Sequence, residues 1–257
     1  MEPLTLFAFG YEGWGSTTAQ LVEAIDKVEA SRGFGPPVFV DVRLAREVRA
    51  KGFAGKAFET LLGKPRYRWI PDLGNPAVKE GGDTRIKNPA AASLLLELAE
   101  SLSAARQRVV FFCHCMPPLA EGAPGCCHRT LVGGLLLRAA KKRGLAVRID
   151  EWPGGAARFT GIDVPVSEND YERIRLGKLK SVPLQGQPAV QLLALPWYSL
   201  IRLESGGEYS PWCVVTGPAR VKKSGWYLPV YGGGPPDKIR PHVLGFRVES
   251  GFEGRLS

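Results

Sequence analysis

LTLFAFGYEGWGSTTAQLVEAIDKVEASRGFGPPVFVDVR, residues 4–43, decides the fold class. Leu4 to Phe9 is an apolar run closed by Gly10, with the length and composition of a buried strand. Gly10-Tyr11-Glu12-Gly13-Trp14-Gly15 follows as a glycine-rich loop. Ser16 or Thr17 can cap a helix on which Leu21, Val22, Ala24 and Ile25 recur at helical spacing. Gly33 to Pro37 break the chain, and Val38-Phe39-Val40-Asp41-Val42 reads as a second strand, apolar until Asp41. A strand, a helix and a strand of these lengths make a βαβ unit, so the two strands are expected to be parallel.

The pattern continues outward. A basic loop spans Arg43 to Lys56, with Arg46, Arg49 and Lys51 against the single acid Glu47. A short helix is expected over Lys56 to Leu62 and a third strand over Tyr67 to Ile70, closed by Pro71-Asp72-Leu73-Gly74-Asn75-Pro76. Ala90 to Ala104, rich in Ala, Leu and Glu, predicts a helix. Arg108 to Cys113 is an apolar, central strand. A helix is then expected from about His128 to Arg143, and a fifth strand over Leu145 to Ile149. The fold expected is α/β, a mostly parallel sheet with helices on both faces. Beyond it, short apolar runs such as Val190 to Leu195 and Trp212 to Val215, with glycine turns, suggest a small β-rich module, a barrel or sandwich. The domains expected are 1–185 and 186–257, the polar stretch from Ser167 to Gln187 joining them.

The 257 residues carry a net charge of +9, which favours anionic partners: a nucleotide, DNA or RNA, or a phosphorylated metabolite. In the tail, Trp197, Tyr198, Trp212, Trp226, Tyr227 and Tyr231 interleave with Lys222, Lys223, Lys238 and Arg240, a composition that can stack bases and follow phosphates. No run of about 18 apolar residues predicts a membrane helix. Met1-Glu2-Pro3 lacks the basic start of a signal peptide, so a cytoplasmic location is expected. Four of the five cysteines, Cys113, Cys115, Cys126 and Cys127, sit in one short stretch with His114 and His128. That clustering argues against a secreted disulfide framework and for a metal or a reactive thiol.

In an open parallel sheet, ligands bind beyond the carboxyl ends of the strands. Read across those ends, the sequence offers Tyr11 and Glu12, then Asp41 and Arg43, then Asp72 and Asn75, then Cys113, His114 and Cys115, with Cys126, Cys127, His128 and Arg129 opening the next helix. Tyr11, Glu12, Asp41, Arg43, Cys127, His128 and Arg129 are the candidate catalytic residues; Arg46, Arg49 and Asn75 are candidates for binding substrate. Asp41 and Arg43 are two apart and so share one side of their strand, which fits a site as well as an internal Asp–Arg pair.

Gly10-Tyr11-Glu12-Gly13, Val40-Asp41-Val42-Arg43, Gly52-Phe53, Leu73-Gly74-Asn75-Pro76 and Cys127-His128-Arg129 occur in that order. In this ordered set the chain resembles the YeaO-like family, domain of unknown function 488 (DUF488), over residues 4 to 150. The resemblance implies that the motif residues belong to one site and names no reaction. The long loop before Cys127, with its extra Cys115 and Cys126, and the tail after about residue 185 depart from it. A looser similarity to rhodanese-like sulfurtransferases and cysteine phosphatases fails at the phosphate-binding arginine. The sixth residue after Cys113 is Leu119, and after Cys115 it is Glu121, which would repel phosphate.

Three readings of the cysteine stretch stay open. Cys127, at a helix N-terminus beside Arg129 and Arg43, can be a nucleophilic thiolate with His128 or His114 as base. Cys113, Cys115 and Cys126, with Cys127 or His128, can hold zinc. The cysteines can also be small buried core residues.

Overall fold

The computed structural model describes residues 3–115, 127–155, 159–176, 180–210 and 213–231. The chain divides into two compact units, Met1–Trp152 and Pro153–Ser257.

The first unit is built on β1 (Leu4–Gly10), β2 (Val38–Asp41), β3 (Tyr67–Trp69), β4 (Val109–Cys113) and β5 (Val147–Glu151). They form an all-parallel sheet in the order β3-β2-β4-β1-β5. Helix α1 (Thr18–Ser31) links the first two strands, α2 (Ala57–Leu62) precedes β3, and α3 (Ala77–Glu80) and α4 (Ala92–Ala104) lead into β4. Helix α5 (His128–Lys142) joins β4 to β5. These bounds agree closely with the apolar runs, because each run is an element that must be buried. One local expectation is corrected. Thr17 is the residue before α1, but its hydroxyl donates to the Trp14 carbonyl at 3.4 Å instead of capping the helix. Helix α1 ends where Gly33 takes φ +78°, which an L side chain rarely adopts.

Strand alternation gives the sheet two different faces. Leu6, Ala8, Val40, Val42, Val109, Phe111 and Cys113 share one core with Leu95 and Leu96 of α4 and Val132 and Leu136 of α5. Burying each such aliphatic or aromatic side chain contributes roughly 1.5–3 kcal/mol. On the other face, Phe39 meets Phe58 with ring centroids 5.4 Å apart, and Phe112 meets Phe58 at 5.3 Å and Phe53 at 5.8 Å. Glu29 of α1, fully buried, is paired by Arg32 and Arg108, which ties the helix to the foot of β4.

The second unit begins earlier than composition suggests. Strand β6 (Phe159–Pro165) runs parallel to β8 (Leu200–Ser205), and β7 (Ser181–Pro183) pairs with β12 (Gly225–Tyr231). The stretch expected to be a linker, Ser167 to Gln187, therefore supplies a helix, α6 (Glu168–Arg175), and one strand of the second sheet, β7. Val190–Leu193, expected in a strand-like run, is instead a short helix, α7. Strands β9 (Glu208–Tyr209), β10 (Cys213–Val215) and β11 (Arg220–Lys222) complete a mixed sheet of seven strands. Trp197 and Tyr198 are buried here and are not available to stack on bases; Lys222 lies over the Tyr227 ring at 4.1 Å. Trp212, Lys238 and Arg240 lie outside the described residues.

Candidate metal centre

The sequence-predicted polar residues gather at the carboxyl edge of the first sheet, but they leave it on opposite faces. Register decides this: Asp41 pairs with Phe112 across β2 and β4, so its side chain shares the aromatic face, while Cys113, one residue on, joins the face under α5.

On the aromatic face, Asp41 and Arg43 bond each other. Arg43 Nε donates to Asp41 Oδ1 at 2.8 Å, and Nη2 donates to Oδ2 and to the Phe53 carbonyl. Arg43 Nη1 donates to the Tyr11 hydroxyl at 3.1 Å, and the Tyr67 hydroxyl donates to Asp41 Oδ2 at 2.8 Å. The rings of Tyr11 and Phe53 stack 4.1 Å apart. Burial works against the Arg43 charge, but the bonds and charge of Asp41 more than offset it and hold the guanidinium protonated. Burial, then the Asp41 carboxylate, pushes the Tyr67 hydroxyl well above the usual tyrosine range. Arg43 and Tyr67 both donate to partners within the chain, so the cluster closes the basic loop onto the sheet. Tyr67 was absent from the candidate list, because one tyrosine in a short strand carries no local signal of its partner.

The remaining candidates on this side have structural partners. Arg46 pairs with Glu59 at 2.9 Å and lies over the exposed Trp69 ring at 4.4 Å. Asn75 Oδ1 accepts from the N–H groups of Ala77 and Arg85, which makes it a turn-builder. Asp72 accepts from Lys87 at the surface. Arg49 and Glu12 are exposed, and the Glu12 N–H donates to the His114 carbonyl.

On the face under α5, three sulfurs converge. Cys113 ends β4, Cys115 lies two residues on, and Cys127 is the residue before α5. Their Sγ atoms all lie within 4.8 Å of one another, and those of Cys113 and Cys127 are 3.2 Å apart. Cys113 and Cys127 are 1% and 3% exposed, whereas Cys115 is half-buried. Burial, together with the neighbouring thiols, pushes the Cys113 thiol well up. Hydrogen bonds from Cys113 and Cys115 pull Cys127 far below the usual thiol range. Cys127 is accordingly the most readily ionised of the three. Cys126 lies outside the described residues. His128 turns to the backbone: its Nε2 is 3.1 Å from the Val42 carbonyl, and because a carbonyl only accepts, that nitrogen carries the hydrogen.

Beneath the sulfurs runs an ion pair that the sequence reading missed. Arg129 Nη1 donates to both carboxylate oxygens of Glu151, at 2.7 and 3.0 Å, and Nη2 donates to the Cys115 carbonyl at 2.7 Å. Arg129 is 1% exposed. Burial pushes the Glu151 carboxyl up to about 7, against the pull of Arg129. Glu151 ends β5, two residues past the apolar run taken as that strand; extending the strand to its acidic end would have brought it to the site edge.

The donor set fits a thiophilic ion. Zinc–sulfur bonds of about 2.3 Å in tetrahedral geometry place the sulfurs roughly 3.8 Å apart. The observed spacing, 3.2 Å for one pair and no more than 4.8 Å for any, brackets that value. The three cysteines can hold a metal ion with only small shifts.

Glycines of the quoted motifs allow the close approach. A Cβ at Gly10 would lie 1.9 Å from the Cys115 carbonyl oxygen and 3.0 Å from Arg129 Nη2. At Gly52 it would lie 2.4 Å from Thr18 Cγ2, and at Gly74 2.3 Å from the Leu44 nitrogen. Gly10→Ala is therefore expected to cost about 1–3 kcal/mol by overpacking and to displace Cys115 from the other sulfurs. Gly133→Ala on α5, whose Cβ would make an ordinary 3.8 Å contact with Ile149, is expected to be neutral or to gain up to about 1 kcal/mol. Urea unfolding of the two variants checks the contrast; equal stabilities would refute the packing account.

No family model matches the chain, and neither a curated protein nor a solved structure matches it. Among the described residues no helix is long and apolar enough to cross a membrane.

Proposed function

We propose that the first unit is a metal–thiolate enzyme of the YeaO-like (DUF488) kind, binding zinc through Cys113, Cys115 and Cys127 and acting in the cytoplasm on an anionic substrate, a nucleotide or nucleic acid. The observation that carries the reading is the three-sulfur cluster at the carboxyl edge of a parallel sheet, where open α/β sheets bind their ligands. Thiolates select zinc over magnesium or calcium. Cys127 faces two other sulfurs within 4.8 Å, an arrangement that supports a ligand better than a nucleophile directed at substrate. Among the described residues three thiolates converge, and a site of three thiolates keeps a fourth position for water or substrate, as catalytic zinc requires. When bound, zinc would supply Lewis-acid activation at that position. In this chain Arg129 and Glu151 hold the Cys115 backbone in place, and the exposed Arg49, Lys51 and Lys56 give the same edge a positive potential.

A second reading, a nucleic-acid-binding module with a purely structural zinc, is favoured by one observation: Arg43 and Arg129, the two motif arginines, are engaged inside the chain. One experiment separates the two. Elemental analysis of the purified protein is expected to find zinc, and cobalt exchanged into the site is expected to give thiolate-to-metal charge-transfer absorption. Under the enzyme reading that spectrum shifts when inorganic phosphate or a nucleoside monophosphate is added. An unchanged spectrum would favour the closed, structural site, and protein that binds no metal would defeat both readings.

A further inference from the structure

We propose that Cys113 and Cys127 form a redox-modification site, in which a peroxide converts the pair to a disulfide and discharges the metal ion. The release step rests on the metal-centre reading above; the pairing itself does not.

The pairing follows from position. The two sulfurs are 3.2 Å apart, and a disulfide needs about 2.05 Å, so bonding asks for an approach of roughly 1 Å. Both are held on regular elements, Cys113 as the last residue of β4 and Cys127 directly before α5. Cys113 is fixed further by Tyr11, whose N–H donates to the Cys113 carbonyl at 3.1 Å, and Cys127 by Thr130, whose N–H donates to its carbonyl at 2.9 Å. Cys115 is the half-buried member. It is anchored through its own carbonyl by Arg129 and pressed against Gly10, so it is the sulfur left over when the other two join.

The oxidant class follows from access. At 1% and 3% exposure, the pair disfavours attack by a bulky disulfide such as oxidised glutathione and favours the smallest oxidant, a peroxide, with Cys115 the half-buried sulfur of the three. The step balances as follows. The Cys127 thiolate attacks one peroxide oxygen, the O–O bond breaks, and Cys127 becomes a sulfenic acid while the departing hydroxide takes a proton from solvent and leaves as the first water. The Cys113 sulfur then attacks Cys127 Sγ, forming the S–S bond and expelling hydroxide, which takes the Cys113 proton, or a solvent proton where Cys113 was a thiolate ligand, and leaves as the second water. Two thiols lose two electrons in all, and hydrogen peroxide gains them. Two of the three thiolates among the described residues are lost, which leaves one of them, too few for the ion.

The test uses the full chain, as purified, treated with stoichiometric hydrogen peroxide. Released zinc is read with a chromogenic chelator, and cross-links by mass spectrometry of unreduced digests. The expected result is a Cys113–Cys127 peptide appearing in step with zinc release, both reversed by dithiothreitol and added zinc. Cys115→Ser is expected to keep the cross-link. Cys113→Ser is expected to lose it and to accumulate a dimedone-reactive sulfenic acid on Cys127. Zinc retained, with oxidation confined to Cys115 and no cross-link, would overturn the proposal while leaving the metal centre standing. A Cys113–Cys127 cross-link in protein that carries no ion supports the redox pair and instead overturns the metal reading.

Discussion

Arg129→Met is expected to lower the unfolding free energy by about 3–5 kcal/mol, the range for breaking a buried ion pair from one side. The guanidinium is 1% exposed and donates to both Glu151 oxygens and to the Cys115 carbonyl. Without it, a carboxylate only 13% exposed loses its cation and the Cys115 carbonyl loses its donor. Desolvation is then no longer offset by attraction, and that imbalance dominates over the lost packing of a side chain that methionine partly refills. Pairing the variant with Glu151→Met removes both charges and is expected to recover most of the loss, since a buried pair replaced by apolar groups is often neutral. Urea denaturation of metal-stripped protein at pH 8, above the value of about 7 that Glu151 has beside Arg129 in the wild type, measures both. A loss under about 1 kcal/mol for the single variant would mean that the pair is effectively solvated. No recovery in the double variant would assign the loss to packing alone.

Chelation is expected to lower the melting temperature of the metal-loaded protein by at least about 5–10 °C. Zinc held at a hundredfold above its Kd stabilises by about 2.7 kcal/mol, and each kcal/mol is worth roughly 2–4 °C in a domain of this size. A structural-strength site, about 10–16 kcal/mol, would give more. Cys127→Ser separates the ion from the fold. Cys127 precedes α5 without a side-chain cap bond, and serine is a favoured capping residue, worth about 1 kcal/mol. The variant is expected to bind no zinc, yet to match or slightly exceed the stability of chelated wild type. Differential scanning calorimetry of wild type and variant, each with and without chelator, decides it. A variant that melts well below chelated wild type would make Cys127 a core residue first and a ligand second, and chelation without effect would remove the ion from the stability of the fold.

Much of the molecule was legible in the chain. Leu4 to Phe9, Val38 to Val42 and Arg108 to Cys113 are apolar runs too short for anything but strands, and α1 and α4 stand between them at helical period. Order and spacing then required parallel strands, and parallel strands put Tyr11, Asp41, Cys113 and Cys127 at one edge. Those are local facts, readable because burial stamps its period on neighbouring residues.

Which residues meet at that edge was not local. The register Asp41↔Phe112 sends Asp41 and Cys113 to opposite faces and splits one expected site into an internal Arg43 cluster and a sulfur triad. A shift of one residue would have reversed it, and register is a property of two strands together. Glu151 became the partner of Arg129 because β5 lies beside β1, and Tyr67 that of Asp41 because β3 lies beside β2. The division at Trp152 likewise depends on β6 pairing with β8, far along the chain. Periodicity told each segment which side to bury; only packing the segments against one another decided which polar side chain, on a distant strand, would satisfy which.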